Sequence, residues 1–260
     1  MTSDRKALLD GISDIARQAG AAIMAIYATD FDARTKDDNS PVTDADEAAE
    51  ALIVSALRRL APDIPVVAEE AAAAGNIPDV GDGPFWLVDP LDGTKEFLNR
   101  NGEFTVNIAL IEGRRPVLGV VLAPALGTLY SGLVGTGAWR AVDEGGAEPI
   151  AVREPPADGL TVIASRRHGD PAEIQQFLQG RPIAEMANAG SSLKFCKVAA
   201  GEADLYPRFG RTMEWDTGAG QAVLEAAGGL VTETDGTPFA YAKNAIFENP
   251  HFVAWGGLRP

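Results

Sequence analysis

The chain has 260 residues, a formal net charge of −15 and a single cysteine, Cys196. The negative charge argues against non-specific binding to nucleic acid or anionic lipid, and no apolar run approaches the roughly 18 residues that a membrane span needs. One cysteine cannot form an internal disulfide, and the N-terminus lacks the basic-then-apolar pattern of a signal peptide. We therefore expect a cytoplasmic globular protein in which Cys196 is a small core residue.

The first 84 residues predict two helices followed by a short strand and a loop. Apolar residues recur at helical spacing over residues 5–28, and Thr43 with Asp44 can cap a second helix over residues 44–60. Residues 66–68 form a predicted strand that ends at Glu69 and Glu70. Gly, Pro and Asp residues then indicate a loop over residues 71–84.

Residues 86–94, with the sequence Trp-Leu-Val-Asp-Pro-Leu-Asp-Gly-Thr, are the most informative stretch of the chain. The apolar run predicts a buried strand, and Pro90 is expected to stop it because proline has no N–H to give to a sheet. Asp89, the Leu91 carbonyl and Asp92 can then point outward together as hard oxygen ligands, which Mg²⁺ prefers. A turn in which the Asp side chains bond their own backbone is the alternative.

The rest of the chain divides in two by its strand pattern. Turn signals separate four predicted strands of an antiparallel meander, over residues 104–111, 117–122, 129–134 and 138–141. Residues 142–158 are rich in Pro, Glu and Gly. Beyond them the elements alternate, with strands over residues 160–164, 203–206, 230–232 and 252–254 and helices over residues 171–178, 191–200 and 216–227. The pattern predicts an α+β domain over residues 1–155 and an α/β domain over residues 156–260.

Further carboxylates follow the same structural rule as the pair Asp89 and Asp92. Asp38, Glu69 and Asp216 each lie at the end of a predicted strand or the start of a predicted helix. For Asp216 the alternative is an ordinary helix N-cap. Two other enzyme classes fit less well. Haloacid-dehalogenase phosphatases have one residue fewer between the two aspartates, and a glycosidase pair needs a sugar cleft, for which the few aromatic residues give little support.

Together these motifs resemble the inositol monophosphatase superfamily of metal-dependent, lithium-sensitive phosphatases. The resemblance covers most of the chain and rests on residues 36–46, 68–70, 89–94 and 215–220. Residues 38–43, 165–168, 191–196, 205–208 and 212–216 resemble its branch of 3′(2′),5′-bisphosphate nucleotidases. Ala68 departs from the family, which commonly has Ser or Gly there. The resemblance implies an α/β fold built as a layered αβαβα sandwich.

The resemblance also implies roles for the acidic residues. Two to three Mg²⁺ ions would be held by oxygen atoms of five residues: Glu69, Asp89, Leu91 through its carbonyl, Asp92 and Asp216. Thr94, with Asp38 or Glu69, would orient the attacking water. Gly93 and Thr94 would present backbone N–H groups to the phosphate at a helix start. Attack by a metal-activated water needs no covalent intermediate.

The choice of substrate depends on cations of the second half, because a second phosphate needs its own positive charges. Ser191 and Lys194 are predicted to share one face near a helix N-terminus, and Arg208 follows a strand. Solvated surface charges are the alternative interpretation. The predicted substrate-binding residues are Asp92, Gly93, Thr94, Lys95, His168, Ser191, Lys194, Arg208 and Asp216.

The expected reaction is removal of the 3′-phosphate of adenosine 3′,5′-bisphosphate, which yields AMP and phosphate. An inositol 1-phosphate or fructose 1,6-bisphosphate phosphatase using the same site is one alternative, and a non-catalytic metal- or nucleotide-sensing protein is another. The expected partner is a small-molecule phosphate ester rather than a nucleic acid. The resemblance implies a monomer or a homodimer, and it allows peripheral association with the inner membrane, although no amphipathic basic helix supports that.

Overall fold

A computed structural model describes residues 2–31, 33–35, 41–143, 145–166 and 171–260. Its α-helices are α1 (Thr2–Tyr27), α2 (Asp44–Leu60), α3 (Glu69–Ala73), α4 (Thr94–Leu98), α5 (Pro171–Phe177), α6 (Leu193–Ala199) and α7 (Gly218–Ala226). Short 3₁₀ turns span Pro124–Leu126 and Glu214–Asp216. The helices predicted over residues 5–28, 44–60, 171–178, 191–200 and 216–227 are confirmed with shifted ends. None of the described helices is both long and apolar enough to cross a bilayer.

The first half builds a twisted sheet. Its strands, in spatial order, are β3 (Val66–Ala68), β4 (Phe85–Asp92), β5 (Thr105–Glu112), β6 (Arg115–Ala123), β7 (Thr128–Leu133), β8 (Gly137–Val142) and β9 (Glu148–Ile150). β3 and β4 are parallel, and every later pair is antiparallel, so the predicted meander is confirmed. β9 lies in the Pro- and Gly-rich stretch that was not assigned a strand, and it pairs with β8.

The second half builds a mixed sheet. Its strands, in spatial order, are β11 (Ile183–Asn188), β10 (Leu160–Ala164), β12 (Leu205–Arg208), β14 (Phe252–Trp255) and β13 (Leu230–Glu233). β10 is parallel to β11 and β12, whereas β14 is antiparallel to its neighbours. A hairpin of β1 (Ala33–Thr35) and β2 (Pro41–Thr43) precedes α2. Neither this hairpin nor β11 was predicted, because these short or exposed strands lack a clear alternation of apolar residues.

The layers follow from the apolar faces of the helices. α1 and α2 cover one face of the first sheet, where Ile12, Ile53 and Trp86 belong to one buried cluster. α6 and α7 fill the space between the sheets, and Phe195 and Val223 belong to the core there. α5 covers the outer face of the second sheet. This order is the predicted αβαβα sandwich. The division into domains over residues 1–155 and 156–260 stays a prediction.

A capping box fixes the N-terminus of α2. The Thr43 hydroxyl accepts a hydrogen bond from the Ala45 N–H at 3.2 Å, and Oδ2 of Asp46 accepts one from the Thr43 N–H at 2.8 Å. This capping box satisfies N–H groups that the helix itself leaves without partners. The cap predicted at Thr43 is confirmed, and the Asp46 carboxylate is fixed in the protein interior, 1% exposed.

The prediction that Pro90 stops its strand is wrong. β4 continues to Asp92, with Asp89 opposite Asn107 and Asp92 opposite Thr105 on β5. Three steps along β4 therefore face two along β5, which is a β-bulge. The bulge accommodates a proline because an extra residue there needs no partner in the ladder. A bulge also redirects side chains, and here it lies between the two aspartates of the motif.

Close backbone contact seats α7 against the first sheet. A Cβ atom added to Gly132 on β7 would lie 2.6 Å from the Val223 Cα, and one added to Gly119 on β6 would lie 2.9 Å from the Ala219 Cα. Real Cβ atoms essentially never approach so closely. The glycines therefore let the helix that follows Asp216 lie directly on the strands.

We expect Gly132→Ala to lower the free energy of unfolding by about 1–3 kcal/mol, because the new methyl group meets helix backbone that cannot turn aside. Gly146→Ala is the control, since its added Cβ meets no atom within 4 Å. We expect it to change the free energy by less than about 0.5 kcal/mol. Urea unfolding measures both, and equal losses would contradict the proposed close packing.

Candidate metal and phosphate site

Four carboxylates meet where β4 approaches the N-terminal ends of α3 and α7. Glu69 is the first residue of α3, Asp89 and Asp92 flank the bulge of β4, and Asp216 closes the 3₁₀ turn before α7. Loss of water raises the pKa of Asp89 well above its usual range, and the charges of Glu69, Asp92 and Asp216 raise it further. The same two causes, loss of water and then the charges of Asp92 and Glu69, raise the pKa of Asp216 to about 8. The structure thus brings together four of the acidic residues that the sequence indicated, Glu69, Asp89, Asp92 and Asp216.

Hydrogen bonds fix the orientation of these carboxylates. Oδ1 of Asp89 accepts from the Leu91 N–H at 3.0 Å, and Oδ2 of Asp216 accepts from the Met213 N–H at 2.8 Å. The Ser192 hydroxyl lies 3.0 Å from Oδ2 of Asp92 and 2.8 Å from the carbonyl oxygen of Asp216. The pKa of Asp92 is raised by loss of water, although Lys194 and Ser192 oppose the shift. A serine of the second half therefore ties the two ends of the acidic cluster together.

The donor set suits a hard divalent cation. All four side chains offer carboxylate oxygens, and the raised pKa values of Asp89, Asp92 and Asp216 show that the nearby positive side chains do not compensate the charge of these three. A bound cation would favour the ionised forms. Among the described residues, no group of three or more His, Cys, Asp or Glu side chains could hold an ion as it stands. Backbone carbonyls and water would complete the coordination shell of a bound cation.

Thr94 has a partner that sequence reasoning missed. Gly93 precedes α4 with a positive φ of 91°, and the Thr94 hydroxyl donates a hydrogen bond to Oδ1 of Asp46 at 3.2 Å. The second oxygen of Asp46 is occupied by the capping box of α2. The spacing Thr43-x-x-Asp46, which is typical of a capping box, is the sequence signal that could have indicated Asp46.

Glu50 is a second residue that the sequence did not single out. Its two carboxylate oxygens accept hydrogen bonds from the Glu70 N–H at 2.7 Å and from the Ala71 N–H at 2.8 Å. Ala68, the N-cap residue of α3, has no side chain that could do this. Glu50 therefore caps α3 from α2 and fixes the backbone that begins at Glu69.

A cleft of about 180 Å³ adjoins the acidic cluster. Its lining includes Asp92, Gly93, Lys95, Ser191, Lys194, Arg208 and Asp216 from the predicted site. Asp38 and His168, also predicted, lie outside the described residues. Ser191 precedes α6 instead of lying on it, with a positive φ of 46°, because the helix begins two residues later than predicted.

Two cations, Lys194 and Arg208, line the same cleft as Asp92 and Asp216 and form its positive wall. Lys194 is buried, with its ammonium 5.2 Å from the centre of the Tyr206 ring. Loss of water lowers the pKa of Lys194 to about 8, with Arg208 adding to the shift and Asp92 opposing it. Arg208 is 8% exposed and donates to the carbonyl oxygen of Arg211 at 2.8 Å. One cleft thus has a positive wall from the second half and an acidic wall to which Asp92 of the first half and Asp216 of the second half contribute.

Comparison with known proteins agrees with this geometry. The sequence pattern of the inositol monophosphatase family matches residues 4–256. The chain is 49% identical to the 3′(2′),5′-bisphosphate nucleotidase CysQ of Escherichia coli O157:H7, over 94% of this chain and 98% of the relative. It is 47% identical to CysQ of Salmonella typhimurium with the same coverage. The crystal structure of CysQ from Bacteroides thetaiotaomicron superposes with a TM-score of 0.80 at 36% identity, over 97% of this chain and 98% of that one. An IMPase from Thermotoga maritima gives 0.77 at 28% identity, over 96% and 92%.

We expect Asp216→Asn to stabilise the metal-free protein above about pH 8. The Asp216 carboxyl has an ordinary pKa of 3.8 and a folded-state pKa of about 8. Between these values the folded state binds more protons than the unfolded state, so this group makes stability fall as the pH rises. Asparagine cannot ionise, so it removes this loss of stability, and its side-chain oxygen can still accept the hydrogen bond from the Met213 N–H. The measurement is the melting temperature in EDTA across this pH range.

Asp204→Asn is the matched control. Asp204 is buried and paired with Arg153 at 2.8 Å, so its substitution leaves a cation without its partner and lowers the melting temperature with or without Mg²⁺. Asp216→Asn should also lose most of the stabilisation that Mg²⁺ gives the unsubstituted protein. If it lowers the melting temperature in EDTA as Asp204→Asn does, the proposed repulsion is wrong.

Proposed function

The chain belongs to the inositol monophosphatase family, and from that premise we propose that it is a metal-dependent phosphatase that removes the 3′-phosphate of adenosine 3′,5′-bisphosphate, giving AMP and phosphate. The observation that carries the proposal is the cleft that Asp92 and Asp216 of the acidic cluster line together with Lys194 and Arg208. The nucleotidases at 47–49% identity support the same substrate. We further propose a cytoplasmic protein, present as a monomer or homodimer.

The proposed metal ligands are the oxygen atoms of Glu69, Asp89, Leu91, Asp92 and Asp216, and the proposed ions are two to three Mg²⁺. When bound, such ions activate a water molecule and stabilise the charge that develops on the leaving oxygen. The raised pKa values of Asp89 and Asp216 support this assignment, because a cation would relieve the repulsion that raises them.

Thr94 is proposed to orient the attacking water. Its hydroxyl proton is directed to Asp46, so an oxygen lone pair is left to accept a hydrogen bond from the water. The water then attacks phosphorus opposite the leaving 3′-oxygen. The water gives up one proton to solvent, the leaving 3′-oxygen takes one up from solvent, and no enzyme side chain becomes covalently attached. Asp38 and Glu69 remain the other candidates for contacting this water.

The backbone at the start of α4 is proposed to hold the phosphate that is cleaved. The N–H groups in the first turn of a helix have no partner within the helix, and those after Gly93 lie beside the acidic cluster. Hydrogen bonds from these groups to the equatorial oxygens would strengthen as charge develops in the transition state. Lys95, which lines the same cleft, adds a positive charge.

The wall of Lys194 and Arg208 is proposed to bind the 5′-phosphate, with Ser191 and His168 beside it. Withdrawal of Lys194 from water is costly unless an anion approaches its ammonium group. This favours a bisphosphate over inositol 1-phosphate, which has no second phosphate to place there. Two alternatives to the proposed function, a fructose 1,6-bisphosphatase and a non-catalytic metal or nucleotide sensor, are tested by the phosphate-release assay below.

We expect the purified protein with Mg²⁺ to release phosphate from adenosine 3′,5′-bisphosphate with a kcat/KM that exceeds those for inositol 1-phosphate and fructose 1,6-bisphosphate by about tenfold or more. The measurement is a phosphate-release assay on the three substrates. Absence of turnover on all three would contradict the proposed enzyme activity, and a tenfold preference for inositol 1-phosphate would contradict the proposed substrate.

We expect Thr94→Val to reduce kcat by about 10²–10³-fold, because the side chain keeps its shape but loses the hydroxyl that holds the water. Thr94→Ser keeps the hydroxyl and should stay within about tenfold of the unsubstituted protein. Steady-state kinetics on the preferred substrate measure both. Equal losses in the two variants would mean that the methyl group, and not the hydrogen bond to Asp46, matters.

A further inference from the structure

The Glu103 carboxylate joins the two halves of the protein at the edge of the cleft. Glu103 lies just before β5 in the first half. Its Oε2 atom accepts a hydrogen bond from the Gly190 N–H at 2.7 Å and one from Nη1 of Arg166 at 2.5 Å. Both donors belong to the second half, since Arg166 follows β10 and Gly190 follows β11. Glu103 is not among the residues for which a ligand or catalytic role was predicted.

The contact with Gly190 depends on the absence of a side chain. A Cβ atom added to Gly190 would lie 2.6 Å from the Glu103 carbonyl oxygen and 2.8 Å from the Glu96 Cγ. The same carbonyl oxygen lies 3.4 Å from the position of a Cβ added to Gly93. The backbone of Glu103 is therefore in close contact with the segment that starts α4 and with the segment that leads to Lys194.

The N–H of Gly190 and the carbonyl of Ala189 are two ends of one planar peptide group. Glu103 accepts from the N–H end, and the Lys194 ammonium donates to the carbonyl end at 3.3 Å. Lys194 also donates to the Ser191 carbonyl, on the other side of Gly190. Rotation of the peptide between Ala189 and Gly190 would therefore move one of the two oxygens that hold the ammonium group, and Glu103 opposes that rotation.

Arg166 is oriented by the same carboxylate oxygen. A guanidinium has five N–H donors, and the bond to Glu103 uses one of them, while Arg166 itself lines the cleft. Loss of water favours a higher pKa for Glu103, but the hydrogen bonds from Arg166 and Gly190 outweigh it and lower the pKa. Glu103 is thus an anion beside a site for anions, and its charge is directed onto two donors instead of the substrate.

We propose that Glu103 is a positioning residue for the phosphate that is not cleaved. It fixes Arg166 directly and Lys194 through the peptide between Ala189 and Gly190, and in this way it sets the selectivity for bisphosphates over monophosphates. This inference rests on the function proposed above. It concerns binding of the second phosphate and leaves the chemical step to other residues.

The test compares adenosine 3′,5′-bisphosphate with adenosine 3′-monophosphate, which carries the same scissile bond without the second phosphate. We expect Glu103→Gln to raise KM for the bisphosphate by about tenfold, with kcat and the kinetics on the monophosphate changed by less than about threefold. Lys194→Ala should likewise raise KM for the bisphosphate much more than KM for the monophosphate. Glu202→Gln is the matched control, because the Glu202 carboxylate pairs with Arg140 and Lys197 and lies outside the cleft lining. This variant should leave kcat and KM unchanged for both nucleotides.

Equal increases in KM on both nucleotides, or a fall in kcat on both, would overturn the role of Glu103 and indicate general structural support. If Glu103→Gln does not fold, Arg166→Gln tests the same wall at a side chain that is 42% exposed. It should raise KM for the bisphosphate alone by about threefold or more. An unsubstituted protein that hydrolyses neither nucleotide would instead overturn the proposed function. An active unsubstituted protein, with equal effects of Glu103→Gln on both nucleotides, would overturn only this inference.

Discussion

Repulsion among four carboxylates withdrawn from water is the constraint around which the rest of this structure is arranged. Asp89 is nearly inaccessible, and its pKa is raised by loss of water and by Glu69, Asp92 and Asp216. Such a cluster is costly in an ordinary core. The chain fixes it with backbone N–H groups and the Ser192 hydroxyl, none of which removes a negative charge. The charge is left to be balanced from outside the chain, which is what a metal site requires.

The cluster also explains why the two sheets must be held so closely. Three of its members come from the first half and Asp216 comes from the second, so small movements between the halves would separate them. Close packing of α7 onto Gly119 and Gly132 limits such movement. The Ser192 hydroxyl, between Asp92 and the backbone of Asp216, restrains the same boundary. Core packing and site geometry are therefore consequences of the same contacts between the halves.

Local patterns predicted most of the fold and the acidic residues, because helix periodicity and strand ends depend on neighbours in sequence. The errors involve partners distant along the chain. Pro90 was expected to end a strand, but the register with β5 absorbs it in a bulge. Glu50 caps a helix some twenty residues away, and no periodicity indicates that. Asp46 was not singled out, because its bond to Thr94 spans 48 residues. β11 is an edge strand whose exposed residues lack the alternation of a buried one.

The two walls of the cleft differ in how they are built, and this bears on how such a site can change its substrate. The acidic wall depends on strand register, helix caps and a bulge, so few substitutions there would leave the cluster intact. The positive wall depends on side chains that carbonyl oxygens, Tyr206 and Glu103 hold in place. Its residues can be exchanged without altering β4 or α7. A change of substrate therefore needs only a different set of cations beside an unchanged acidic cluster. Glu103 contacts the positive wall from the other half of the protein, so it would have to change together with those cations.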